Sequence, residues 1–483
     1  MATRIDAQYR EGELPEYNGH PLITALPPIV PDRMVNTLYS TKWSSSNDER
    51  EAPAHLRLKM VKRLKQFMFP LPEYVDLFRS IEDALITGYL PKNPTTPTGQ
   101  HYLHYMNSRD TSAQPISGAF CPTGSALSLF GESGAGKSFG VLRTLEQYPQ
   151  VIVHNEFAGR PLPLKQVTWL RLECPTAASV SGFATAVLDQ LGKALGGDQL
   201  ERYPTPRSIH EAGIYIQRRL RSLWLGILVL DELQNLSIGK ADLRAHFLNL
   251  LLILINEAGV PVLFCGNNEA RPLLQDTLRN ARRAEDAGQI NLGPIDPRIW
   301  PMFVQELWPM QYTSSVTSLD DTLSNKLYGL SRGLPSFAVK IYMKAQECVI
   351  GTGEETITSD VLDEAYLAAC NLSAKRLEDV PLPSTVSEED IGPAAHEAGI
   401  DDTSKLSQTP APATSEPPIA DINRVQHPEF KSMIINTRNN GFHVPLGVDT
   451  DVLRSALDLP DPYLFLASKD QLLTDLYTSD SLM

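Results

Sequence analysis

Residues 131–138 read Gly131, Glu132, Ser133, Gly134, Ala135, Gly136, Lys137 and Ser138, which is the GxxxxGK-Ser spacing of a loop that cradles phosphate. The glycines let backbone N–H groups turn inward without side chains in the way. Lys137 is then placed to reach β- and γ-phosphate oxygens, and the Ser138 hydroxyl to ligate Mg²⁺. The apolar run ALSLF (126–130) leads into the loop and the helix-like FGVLRTLEQ (139–147) leads out, the strand–loop–helix context that the motif needs. Phe139 completes the predicted nucleotide-binding set.

A second carrier of chemistry lies in LGILVLDELQNL (225–236), a buried-strand pattern that ends in two carboxylates. Asp231 is expected to hold Mg²⁺ through water, and Glu232 to act as general base on the attacking water. The predicted cofactors are therefore ATP and Mg²⁺, and the predicted reaction is hydrolysis to ADP and phosphate. VPVLFCG (260–266) runs into Asn267, a polar amide expected beside the γ-phosphate if this strand lies between the two motif strands. Arg279, Arg282 and Arg283 in LRNARR (278–283) are candidates for an arginine that reaches the ATP of a neighbouring subunit; the sequence leaves open which of them does so.

Strands and helices must alternate to position these groups, and between about 115 and 312 they do so in the manner of an α/β domain with a parallel sheet. The predicted strands are 126–130, 166–173, 225–230, 260–266 and 303–311; Pro309 assigns the last to an edge of the sheet. Residues 313–376 read as a small helical lid. Before the core, 1–114 comprise an arm, expected to be extended because Pro21, Pro27, Pro28 and Pro31 interrupt any long helix, and a basic region. In that region HLRLKMVKRLKQFMF (55–69) sets Leu56, Met60, Leu64 and Phe67 at helical spacing among Arg57, Lys59, Lys62, Arg63 and Lys65. Two readings stand for it, a packed helix with a solvated face or a DNA- or partner-binding surface. After the lid, 377–425 have the Pro, Ser and acid content of a disordered linker, and 426–483 read as a partner-binding tail.

Composition narrows the function. With 57 acidic against 43 basic residues, the net charge of −14 argues against coating nucleic acid by bulk positive charge, and leaves room for local phosphate contacts. No run of 18 uncharged apolar residues occurs, so no membrane span is expected. The opening MATRIDAQYREGE lacks the apolar centre of a signal peptide, and a cytoplasmic protein is expected. Cys121, Cys174, Cys265, Cys348 and Cys370 are widely spaced, which suits buried thiols better than zinc or a disulfide framework.

With these motifs in view, the chain resembles the TnsC family of AAA+ transposition regulators and, more distantly, TniB. The resemblance covers about residues 1–375 and includes ATRI (2–5), PLITALPP (21–28), GYLPKNP (88–94), YPQVIVH (148–154), DELQNL (231–236), GVPV (259–262) and LRNARR (278–283). It implies an AAA+ P-loop fold with a helical lid and ATP-dependent assembly as a homo-oligomeric ring or filament on duplex DNA, held through the phosphate backbone. It further implies partnership with the transposase proteins TnsA and TnsB and with a target-selection protein, site-specific or RNA-guided. Residues 175–183, Lys193, Arg202 and Arg207 are the implied DNA-facing options. Two positions depart from the family pattern: Asn267 stands where close relatives have Thr, and Ser336 where many AAA+ proteins carry a sensor arginine, leaving Lys340 or nothing for that role. The alternative from another class is a P-loop signalling switch that binds protein partners without DNA.

Overall fold

The computed structural model describes residues 3–41, 44–105, 124–197, 209–256, 258–275 and 288–381. The chain divides into two units, Met1–Val386 and Ser387–Met483, and every described residue lies in the first. The linker beyond 381 and the tail fall outside the described residues, as do Cys121, Arg202, Arg207, Arg279, Arg282 and Arg283.

The strands are β1 (Arg4–Asp6), β2 (Ala126–Gly131), β3 (Val151–Phe157), β4 (Arg160–Val167), β5 (Trp169–Glu173), β6 (Ile227–Asp231), β7 (Val262–Gly266) and β8 (Gln289–Leu292). Five of them form a sheet in the order β5-β6-β7-β2-β8 with every pairing parallel. Each residue of β2, β6 and β7 is buried, whereas β5 and β8 alternate between covered and open positions. That difference follows from place: a central parallel strand has helices on both faces, and an edge strand does not.

The two faces feed separate cores. Leu127, Leu129, Ile227, Val229 and Leu263 pack with Leu77, Phe78, Ile81 and Leu85 of the helix Pro72–Tyr89. Their alternate neighbours Ala126, Phe130, Leu228, Leu230 and Phe264 pack with the helices Val180–Leu195, Ile209–Ser222 and Ala241–Asn256. The period of two in the strands thus splits one apolar run between two layers.

Three expectations are corrected. Residues 303–311 are not a strand: Trp300–Leu307 is a helix, and the edge strand beside β2 is Gln289–Leu292. Trp300, Phe303, Val304 and Leu307 are all buried at i, i+3, i+4 and i+7, Pro301 sits in the first turn where no N–H is needed, and Pro309 follows the helix end. Residues 166–173 are two strands rather than one, broken at Thr168, whose backbone N–H turns to Gln150 O at 3.0 Å. The arm is not extended over most of its length. It folds into the short helices Pro21–Thr24, Asp32–Leu38 and Asn47–Glu51 and buries Leu22, Ile23, Val35 and Tyr39; Pro21 opens the first helix rather than preventing it. Among the described residues of the arm the one strand is β1, paired in parallel with β3, which turns back on β4 to complete a small second sheet.

The basic segment packs through one side and leaves Lys59, Lys62, Arg63 and Lys65 exposed. A helix, Ala54–Met60, passes into a tight 3₁₀ stretch, Val61–Gln66, and the buried positions are Arg57, Val61 and Leu64, while Leu56 faces out. Arg57 donates Nη2 to Glu355 Oε1 at 2.7 Å, Nη1 to Tyr312 O at 3.0 Å and Nε to Ala52 O at 2.8 Å. Lys62 pairs with Glu347 and Arg63 with Glu49. Arg57→Ala strands the Glu355 carboxylate, only 3% exposed, and is expected to cost about 3–5 kcal/mol in urea unfolding. Arg57 holds the Glu355 carboxyl down at about 2. The stabilisation from this pair is therefore complete above the unfolded value near 4.5 and is lost as pH falls from there toward 2. Stability of Arg57→Ala should lack that acid-side component; an acid titration of both proteins checks it.

Candidate functional site

The site grows from the carboxyl ends of adjacent strands. β7 lies between β6 and β2, so Gly131–Ser138, Asp231–Glu232 and Asn267 leave the sheet at one edge as neighbours. Gly134 and Gly136 have φ of +93° and +98°, the left-handed region. The space around them is also closed: a Cβ on Gly134 would lie 2.5 Å from Ser336 Oγ, and one on Gly136 2.3 Å from the Tyr74 hydroxyl oxygen. The loop is therefore gripped from two sides, by the helix Pro72–Tyr89 and by the helix Pro335–Val349, whose Ser336 N–H donates to Gly134 O at 3.2 Å.

Lys137 begins the helix Lys137–Leu145 and donates Nζ to Gly131 O and Glu132 O, both at 2.8 Å. Burial lowers its pKa, and the charges of Glu232 and Asp231 oppose that shift, so the ammonium and both carboxylates share one electrostatic neighbourhood. Asp231 is buried with both oxygens engaged: Oδ2 accepts from Arg171 Nη2 at 2.6 Å and Oδ1 from the Glu232 N–H at 3.0 Å. Glu232 has φ +57°, a left-handed conformation that costs a non-glycine residue about 1–2 kcal/mol and aims its side chain away from the strand direction. Its carboxylate accepts from Gln234 Nε2, while Gln234 Oε1 accepts from the Asn267 N–H at 3.2 Å. Asn267 Nδ2 donates to Glu269 at 3.1 Å, and its Oδ1 is buried without a hydrogen-bond partner among the described residues.

Arg171 and Gln234 were not singled out from the sequence. Arg171 sits on β5 between buried Leu170 and Leu172, and an arginine inside an apolar strand next to the DE strand is the signal that was there to use. Gln234 stands two residues after Glu232, close enough to fold back on it.

Two cavities flank the loop. One, of about 560 Å³, is lined on the Gly136 side by Phe67, Tyr74, Phe139, Phe303, Phe337 and Met343, an apolar slot of the size and character that takes a planar base. The other, of about 610 Å³, opens on Glu132, Ser133, Asn267, Asn268 and Arg376. Phe337 and Ser373 border both, so the two cavities adjoin beside the loop. Among the described residues no group of three or more His, Cys, Asp or Glu is placed to hold a metal by itself. The donors present, one hydroxyl at Ser138 and one carboxylate at Asp231, suit Mg²⁺, which keeps waters and takes phosphate oxygens as ligands. Of the implied DNA-facing residues, Lys193 pairs with Asp189 at 2.6 Å on the exposed side of its helix.

Residues 122–274 match the sequence profile of the AAA domain. The chain has the AAA+ P-loop NTPase fold, a parallel sheet flanked by helices, and a domain of this kind binds and hydrolyses nucleotide. Among solved structures it is similar to the Aeropyrum pernix ORC1 protein, solved in complex with DNA, at 16% identity and TM-score 0.35 over 59% of this chain and 68% of that one. It is also similar to Cdc6p from Pyrobaculum aerophilum, at 14% identity and TM-score 0.35 over 55% of this chain and 70% of that one. None of the curated proteins compared with it matches in sequence. Among the described residues no helix is long and apolar enough to cross a membrane.

Proposed function

We propose that this AAA+ protein is an Mg²⁺-dependent ATPase that assembles with ATP on duplex DNA as a ring or filament. In that form it couples a target-selection protein to recruitment and activation of a TnsA/TnsB-type transposase, in the bacterial cytoplasm. The observation that carries the nucleotide half is the pair of cavities beside the phosphate loop, with Lys137, Asp231, Glu232 and Asn267 gathered at one sheet edge. The transposition half is supported by the segments that carry the resemblance, two of which are strand partners: Arg4, Ile5 and Asp6 stand opposite Val151, Ile152 and Val153.

In this reading the base lies in the apolar slot and the phosphates lie along the loop backbone, with Lys137 giving up its two carbonyl contacts for phosphate oxygens. Ser138 and Asp231 would hold Mg²⁺, which would supply positive charge against the phosphates. Arg171 holds Asp231 in place through Oδ2 and would have to yield that oxygen if the carboxylate turned toward a metal. Glu232 takes a proton from the attacking water once Gln234 releases its carboxylate, and Asn267, joined to the same Gln234, reports the γ-phosphate to that step. An arginine from Arg279, Arg282 or Arg283 of an adjoining subunit completes the charge balance.

Negative-stain electron microscopy of the full chain with a non-hydrolysable ATP analogue tests this. Rings or filaments are expected with analogue and duplex DNA together. Assembly that is indifferent to DNA would instead favour a switch acting on protein partners, and no assembly under any condition would remove the oligomeric reading.

A further inference from the structure

We propose that a second copy of this chain docks on the free edge of β1, strand against strand and antiparallel, so that two chains share one continuous sheet. In the small sheet β3 is central, and β1 and β4 are its edges. Among the described residues β1 therefore has a strand neighbour on one side only. Thr3 O accepts from the Val151 N–H at 3.1 Å and the Ala7 N–H donates to Val153 O at 2.8 Å, so residues 3 and 7 turn their backbone groups toward β3. By the alternation of a parallel ladder, Ile5 does the same and Arg4 and Asp6 turn theirs away. Their two N–H groups and two carbonyls form a row that another strand can meet, and all three residues of β1 are exposed. The opposite edge is guarded: in β4, Pro161 and Pro163 have no N–H to offer.

The order of the charges selects the occupant. When β1 pairs antiparallel with itself, outward backbone groups face outward groups in three registers. Two of these set Arg4 against Arg4, or Asp6 against Asp6, and like charges directly opposite are destabilising. The third is centred on Ile5. It sets Arg4 of each copy against Asp6 of the other, and each such pair exchanges both backbone hydrogen bonds. The two Ile5 side chains then meet as the pair without hydrogen bonds, where side chains stand closest. Ile5 is 38% exposed although it stands in register with fully buried Ile152, and this contact covers it. The segment is thus complementary to itself in charge, in hydrogen bonding and in its one apolar residue.

Such an interface is isologous and closes on two chains. A ring or filament grows by a repeating head-to-tail contact instead, so the β1 contact is separate from that assembly and does not rest on the nucleotide reading. Three residues a side cover far less than the roughly 800 Å² per partner of a lasting complex, so the pairing is weak between single chains and gains where several copies present it together.

Sedimentation equilibrium of the full chain without nucleotide, over a rising concentration series, tests the proposal. The parent should pass from monomer to dimer. Arg4→Asp makes both outward residues acidic and Asp6→Arg makes both basic, so each variant alone should raise the dimer dissociation constant about tenfold or more. Mixed one to one, the two variants should associate again with an affinity near that of the parent, and the double substitution Arg4→Asp with Asp6→Arg should associate by itself. Recovery in the mixture also shows that both variants are folded. A parent that stays monomeric throughout the series overturns the proposal, and so do single variants that associate as well as the parent or a mixture no better than its components.

Discussion

In Lys137→Ala, affinity for ATP falls about a hundredfold or more, and hydrolysis falls with it. Lys137 is the only cationic side chain of the loop, and its Nζ is already within 2.8 Å of two loop carbonyls, so a short movement transfers it to phosphate oxygens. Two charge-assisted contacts at about 1.5–3 kcal/mol each account for the expected loss. The substitution itself is mild for the fold. Alanine is the best helix former at a first-turn position, and the loop stays gripped by Tyr74 and Ser336 through Gly136 and Gly134. Titration with fluorescent ATP beside a thermal melt checks both halves; unchanged affinity in a folded variant would remove Lys137 from the site.

Glu232→Gln has the opposite signature, with binding kept and turnover lost. The amide preserves the shape and the left-handed turn at this position but has no carboxylate to take the proton, so hydrolysis should drop by about 10²–10⁴. The Asp231 contacts to Arg171 and to the residue 232 N–H do not depend on the lost charge, so the metal side is left intact. Phosphate release measured under saturating ATP, with analogue affinity as the control, decides the matter. Turnover within a few-fold of the parent would mean that another group activates the water.

Much of this architecture could be read before any coordinates, for reasons that differ by element. β2, β6 and β7 are buried on both faces, so their runs are uniformly apolar and end abruptly in Gly131, Asp231 and Gly266; that contrast marks a central parallel strand whatever surrounds it. The edges carry no such mark. Gln289–Leu292 is four residues long with two open positions, too little pattern to compete with the richer apolar string of 303–311, whose spacing of three and four was passed over for its density. In the arm a proline can break a helix or open one, and the sequence pattern does not distinguish the two; Pro21 opens one. The apolar slot is illegible for a different reason: Tyr74, Phe303 and Phe337 belong to three separate helices, and nothing local in any of them announces that they line one cavity.

Arg57 and Glu355 lie 298 positions apart in the chain. At a ribosomal pace of about 5–20 residues per second, the guanidinium emerges roughly 15 to 60 s before its counter-ion exists. Until then the guanidinium has only backbone carbonyls, those of Ala52 and Tyr312, as its other acceptors, and the ion pair cannot form. The tie between residue 57 and the segment that precedes the helix Ser359–Cys370 thus forms late in synthesis, and a ribosome halted short of Glu355 leaves a nascent chain whose cation lacks its carboxylate.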